Sequence, residues 1–256
     1  MISMLDPKTL TVFVTGATAG FGEAVCRRFA GAGARVIATG RRIERLQALQ
    51  KSLGERCHIV PLDVRDRAAV EAAVAGLPAD FRNVNVAVAN AGLALGLESA
   101  QEANMQDWED MIDTNIKGLL YTVRALLPGM AARDEGHVIL LGSVAGDYPY
   151  PGGNVYGASK AFVKQLALNL RADLIGKNVR VTCIEPGMAE TEFSLVRFKG
   201  DESKAAVPYK GLHPMSADDI AETIFWSCTL PRHLNINRMQ MMPVMQAFGN
   251  FAVHRK

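Results

Sequence analysis

The sequence predicts a doubly wound α/β fold, a parallel sheet of about seven strands with helices on both faces. Two observations carry that expectation. Short runs rich in β-branched residues alternate with helical patterns from one end of the chain to the other, and the runs are nearly continuously apolar. A strand with one wet face alternates apolar and polar residues. A continuous apolar run is buried on both faces, as in a parallel sheet covered by helices. Composition is compatible with this, since 49% hydrophobic and 21% charged residues over 256 positions supply a substantial core and lie far from the disordered class.

In chain order, "TLTVFVTG" reads as the first strand, "AVCRRFAGAG" as helix, "ARVIATG" as strand, "RRIERLQALQKSLG" as helix and "CHIVPLDV" as strand. Further strands follow in "NVNVAVANAG", "GHVILLGS", "RVTCIEPG" and a late "RMQMMPV". No internal repeat or linker-like change in composition divides the chain, so residues 1–256 are expected to form a single domain. One irregular stretch, "MAETEFSLVRFKGDESKAAVPYKGLHPMS" around 188–216, is rich in charged and loop residues. It reads either as a lid or binding loop for substrate or as a solvated surface loop.

A formal net charge of +2 without any run of five like charges gives no support to a nucleic-acid or membrane-surface role. The partners to expect are a small-molecule substrate and further copies of the same chain. Cys26, Cys57, Cys183 and Cys228 are widely spaced and form no zinc-type cluster, so they read as buried thiols of a reducing compartment, with no metal. The N-terminal "MISMLDPKTL" lacks the apolar core of a signal peptide, and "NVNVAVANAGLALGL" is too broken by asparagine and glycine to span a membrane. A cytoplasmic location is expected.

"TVFVTGATAGFGEAVCRRF" places Gly16, Gly20 and Gly22 between a strand and a helix. Glycines there let the backbone turn tightly and approach a pyrophosphate, which sits on the free N–H groups of the helix. In nucleotide-binding folds an acid about twenty residues further on holds the ribose 2′-hydroxyl of NAD. Here "ATGRR" stands in that region, with Gly40, Arg41 and Arg42. Guanidinium forks match a 2′-phosphate, so NADP is expected in preference to NAD. Asp63 in "PLDV" reads either as a contact for the adenine edge or as a helix cap, a task open to Asp66 as well.

"YPYPGGNVYGASK" runs from a loop into a helix, with Tyr156 four residues before Lys160. Positions i and i+4 share a helix face. At about 4 Å and an effective dielectric of about 20, an ammonium attracts a phenolate by about 4 kcal/mol, enough to lower a tyrosine pKa by roughly three units before desolvation opposes it. A tyrosine so placed exchanges protons with an alcohol near neutrality. Ser143, closing "ILLGS", offers a hydroxyl to hold the reacting oxygen.

These segments, with "NAG" at 90–92, Asn115 in "DTNIKG", and "PG" followed by Thr191, resemble the short-chain dehydrogenase/reductase family over nearly the whole chain and in the family's order. The resemblance implies a Rossmann-type fold with Tyr156 as general acid/base. Lys160 would lower the pKa of Tyr156 and bind the nicotinamide ribose, Ser143 would orient the reacting oxygen, and Asn115 would hold a water of the proton relay. It also implies Pro186 and Gly187 beside the nicotinamide and Thr191 near its amide or the phosphates. Thr18, Phe21, Val64 and Asn90 join the cofactor contacts on the same ground. Two departures are visible: Ala89 replaces the first asparagine of the common "NNAG", and Ala19 stands where many NADP-using members carry a basic residue. NADP preference therefore rests on Arg41 and Arg42.

A finer resemblance, in "ATGRRIERLQAL", "NAGLALGLESA", "PYPGGNVYGASKAFVKQLALNLRADL", "SLVRFKGD" and "LPRHLNIN", is to the NADP-dependent 3-hydroxy acid dehydrogenases that act on serine and L-allo-threonine. It implies oxidation of a 3-hydroxyl, or reduction of the matching 3-oxo acid, by a homotetramer. Reduction of other ketones or 3-oxoacyl thioesters is the alternative, and a non-catalytic NADP sensor a third reading, which an intact Ser143, Tyr156 and Lys160 disfavour. A substrate carboxylate requires a cation. Arg197 is the candidate, with Lys199 as the weaker one.

Overall fold

The computed structural model describes residues 4–248. Among these residues seven strands form one sheet: β1 (Thr11–Val14), β2 (Arg35–Gly40), β3 (Cys57–Pro61), β4 (Val86–Ala89), β5 (Gly136–Leu141), β6 (Val179–Pro186) and β7 (Arg238–Met241). They lie in the order β3-β2-β1-β4-β5-β6-β7, every neighbouring pair parallel. The expected fold class and each of the seven expected strands are present.

Consecutive residues of a strand point to opposite faces, and in the central strands both faces are apolar. Val12 and Val14 enter one core while Phe13 enters the other. Val36 and Ala38 are likewise separated from Ile37, and Val86 and Val88 from Ala87. Helices α1 (Gly20–Gly31), α2 (Ile43–Leu53) and α9 (Ala217–Thr229) contribute Phe29, Leu46 and Ile224 to the first core. Helices α3 (Arg67–Ala75), α5 (Leu119–Arg133) and α6 (Asn154–Asp173) contribute Val70, Met130 and Val163 to the second. Helix α4 (Met105–Ile112) packs near α6 and covers a smaller cluster of Ala94, Met111 and Tyr156.

The structure amends one sequence expectation and narrows one reading left open. The 188–216 stretch is partly helical, with α7 (Phe193–Arg197) and α8 (Glu202–Ala206), and its ends are pinned by a bridge between Ala189 and Met215. Asp66 is the cap of α3, accepting from the Ala69 amide, whereas Asp63 binds the Arg65 side chain and faces a cavity. No helix among the described residues is long and apolar enough to cross a membrane. The first residues of the N-terminal stretch, 1–3, lie outside the described residues.

Candidate active site

A cavity of about 360 Å³ opens over the carboxyl ends of the strands, where β1 and β4 are neighbours and chain order reverses across the sheet. Such a switch point leaves a crevice between divergent loops. One wall is the turn between β1 and α1. Gly16 and Gly20 have φ of +68° and +53°, in the left-handed region that favours glycine. A Cβ on Gly22 would collide with the Gly16 carbonyl and lie 2.6 Å from Asn90 Nδ2, so this glycine lets α1 close against the turn. Asn90 Nδ2 donates to the Thr15 carbonyl at 2.8 Å and thereby joins the end of β4 to the same turn. Helix α1 starts without a side-chain cap. Its first residues, with Thr18, Gly20 and Phe21, line the cavity and leave main-chain N–H groups suited to phosphate.

At the far end of this wall stand Arg41, Arg42, Asp63 and Val64. The two arginines differ. Arg42 donates from Nε and Nη2 to Thr18 Oγ1 at 3.0 and 2.9 Å and from Nη1 to Glu192 at 3.0 Å. Arg41 has no hydrogen-bond or ion-pair partner among the described residues, and it draws the Asp63 carboxyl down only weakly beside the larger effect of Arg65. A Cβ on Gly40 would lie 2.7 Å from Thr18 Cγ2, so a side chain there would have to displace Thr18.

Ser143, Tyr156, Lys160, Pro186, Gly187 and Thr191 line the opposite end. Ser143 follows β5 and accepts from the Ala145 amide at 3.1 Å. Tyr156 lies in the first turn of α6. Burial pushes its hydroxyl up to about 12, against which Ser143 and the Arg197 cation favour the ionised form. Lys160 is also in the wall: its Nζ donates to the Leu141 carbonyl at 2.7 Å, and burial lowers it to about 8. The nitrogen is 5.8 Å from the Tyr156 ring centroid. The expected effect of Lys160 on Tyr156 is therefore overtaken by burial in this state. Thr191 packs over Gly20, 3.3 Å from where a Cβ would stand.

Asn115 lies just outside the cavity, in a π-helical turn, Asp113–Gly118, that joins α4 to α5. Such turns bulge a residue out of helical register. Its Oδ1 accepts from the Leu93 amide at 2.8 Å, and its Nδ2 donates to the Leu93 carbonyl at 2.8 Å and to Ser159 Oγ at 3.1 Å. Gly92 passes between Asn115 and Lys160, where a Cβ would be 3.2 Å from Asn115 Oδ1 and 3.5 Å from Lys160 Nζ.

Arg197 ends α7. Its guanidinium carbon is 5.1 Å from the Tyr156 ring centroid and 5.3 Å from that of Phe193, and Nη2 donates to the Tyr150 hydroxyl at 2.8 Å. Its Nε is buried without a hydrogen-bond partner among the described residues. Lys199, the alternative cation, is exposed and paired with Asp107 at 2.9 Å. Tyr150, Phe193 and Glu192 went unnoticed in the sequence because nothing in their local pattern distinguishes them. The three tyrosines of "YPYPGGNVY" were the available hint for Tyr150.

The model of the short chain dehydrogenase family matches residues 10–201. NADP-dependent 3-hydroxy acid dehydrogenase YdfG of Salmonella typhi is 59% identical over 247 residues, covering 96% of this chain and all of the relative. Serine 3-dehydrogenase of Agrobacterium fabrum is 52% identical over 246 residues, covering 96% of this chain and 98% of the relative. Among solved structures, the closed form of serine dehydrogenase complexed with NADP+ superposes with a TM-score of 0.95 at 57% identity, covering 96% of this chain and 99% of that one.

Proposed function

Because the chain belongs to the short-chain dehydrogenase family, we propose that it oxidises the 3-hydroxyl of 3-hydroxy acids such as serine or L-allo-threonine with NADP, or reduces the corresponding 3-oxo acids. The observation that carries the acid specificity is Arg197, a guanidinium without a carboxylate partner among the described residues, set against the ring of Tyr156. A buried donor with no partner costs free energy unless a ligand satisfies it.

The cavity fits the cofactor. Uncapped N–H groups of α1 would hold the pyrophosphate, with Thr18, Phe21 and Thr191 beside them. Arg41 would hold the 2′-phosphate, Asp63 and Val64 would flank the adenine, and Asn90, Pro186 and Gly187 would border the nicotinamide half. When bound, NADP supplies the nicotinamide that accepts hydride from the substrate carbon.

The chain's own residues handle the proton. Ser143 holds the substrate oxygen, and Tyr156 as phenolate takes the proton of the 3-hydroxyl. Lys160, charged below about 8, offers donors to ribose hydroxyls from its place beside the Leu141 carbonyl. Asn115 braces Leu93 and is assigned the relay water. Arg197 pairs the substrate carboxylate while favouring the phenolate.

The molecule works as one domain over 1–256 and self-associates as a homotetramer, for which exposed Met105 and Ile112 on α4 and Leu168 on α6 supply apolar surface. Four unpaired, buried cysteines suit the cytoplasm. Replacing Tyr156 by Phe tests the mechanism. Turnover should fall by about 10² or more while the NADP dissociation constant stays within about twofold. A variant keeping a tenth of the parent's turnover would remove Tyr156 from the acid/base role.

A further inference from the structure

The turn after β2 and the loop after β6 meet at one carboxylate. Glu192 receives Arg42 Nη1 on Oε2 at 3.0 Å and Arg45 Nη1 on Oε1 at 2.6 Å. Both arginines also hold Thr18: Arg42 through its hydroxyl and, at 3.3 Å, its carbonyl, and Arg45 through the carbonyl at 3.2 Å. Three segments of the cavity wall, the glycine turn, the start of α2 and the substrate loop, are thus joined over its adenosine end.

Arg42 has committed Nε, Nη2 and one Nη1 N–H to protein acceptors. A phosphate binding Arg42 would have either to displace Glu192 or to sit beside it as a second anion on one guanidinium. Arg41, on the same turn and without such commitments, carries no such conflict.

We propose that Arg42 forms with Arg45 and Glu192 a clasp that positions the 188–216 loop over the cofactor cavity, a task separate from the 2′-phosphate contact already given to Arg41. That separation rests on the NADP reading above. The clasp matters for substrate because Glu192 immediately precedes α7, whose five residues carry Phe193 and Arg197 to the Tyr156 ring. A helix of barely more than one turn has no stability of its own, so its anchorage decides where Arg197 stands. Glu192 is accordingly a positioning residue and makes no contact with the reacting atoms.

The pairs are partly exposed, with side-chain accessibilities near 40%, namely 44% and 46% for the arginines and 39% for Glu192. Exposed pairs are individually weak, so the expected effects are modest, about fivefold.

The test compares Arg41→Ala, Arg42→Ala and Glu192→Gln with the parent in three measurements: calorimetric affinity for NADP and NAD, hydrogen exchange of residues 188–216 in cofactor-free protein, and the KM and kcat for L-serine. Arg41→Ala should weaken NADP binding by about tenfold or more, leaving NAD binding and loop exchange unchanged. Glu192→Gln and Arg42→Ala should speed loop exchange by about fivefold. They should raise the serine KM more than they lower kcat, and keep the ratio of NADP to NAD affinity within about twofold of the parent's. A Glu192→Gln protein that binds NADP more tightly with NAD unaffected would show that Glu192 competes with the phosphate, overturning the clasp. Unchanged loop exchange in both clasp variants would overturn it too. Equal affinity of the parent for NAD and NADP would overturn the cofactor reading and the task of Arg41, whereas the exchange comparison in cofactor-free protein judges the clasp independently.

Discussion

Burial and charge pull the Tyr156 hydroxyl in opposite directions, and burial is the larger. The sign of the pH dependence follows. With Tyr156 as the proposed base, oxidation requires the phenolate, so its rate should rise with pH toward the tyrosine pKa, and any cation that lowers the pKa should move this rising limb to lower pH. Arg197 is such a cation. Arg197→Met should therefore shift the limb to higher pH. It should also raise the KM for 3-hydroxy acids by tenfold or more, from loss of roughly 1.5 to 3 kcal/mol for a charged hydrogen bond, with neutral alcohols little affected in KM. Rate profiles against pH on both substrate classes check this, and equal KM effects on both would remove the carboxylate role. The Tyr156–Lys160 pair was legible because spacing on a helix is local. The balance at the hydroxyl was not, because it depends on how deeply α6 buries that face and on Arg197, which lies 41 positions after Tyr156 in the chain. Likewise Arg41 and Arg42 look equivalent as neighbours in sequence. What separates them is Glu192, 150 positions from Arg42.

At the scale of elements, the β1–α1 turn and the 188–216 loop are opposites. Glycine spacing announces the turn, since the backbone geometry at Gly16 and Gly20 and the packing at Gly22 each exclude a side chain. Gly22→Ala should force the turn and Asn90 apart. Overpacking of this kind costs about 1–3 kcal/mol, which for a chain of this size lowers the melting temperature by about 2–4 °C per kcal/mol. NADP binding should weaken by about tenfold as the α1 N–H groups move off the pyrophosphate. Thermal melting and calorimetry read both effects, and a variant unchanged in both would mean that the close approach of Gly22 to Gly16 is dispensable. The loop gave no comparable signal. Helices α7 and α8 have five residues each, too few for an apolar period to show, and they are held by tertiary contacts such as the bond from the Gly96 amide to the Arg197 carbonyl at 3.1 Å.

For the molecule as a whole, continuous apolar strands separated by helices were enough to read a parallel sheet covered on both faces, because that arrangement buries both sides of the central strands, while the edge strands β3 and β7 stay partly exposed. The strand order puts the cavity where β1 and β4 part, and so brings together residues from the glycine turn, the ends of β4, β5 and β6, and the 188–216 loop. Tyr156 and Ser143 thus share one cavity with the start of α1, and Arg197, which is not part of the cavity lining, stands behind it against the Tyr156 ring. The most direct test of that account is NADP reduction by the purified protein with L-serine, 3-hydroxypropionate and 1-propanol under one set of conditions. The two 3-hydroxy acids should exceed 1-propanol in kcat/KM by about tenfold to a hundredfold, the value of one charge-assisted contact. Equal or better use of 1-propanol, or no NADP reduction with either acid, would contradict it.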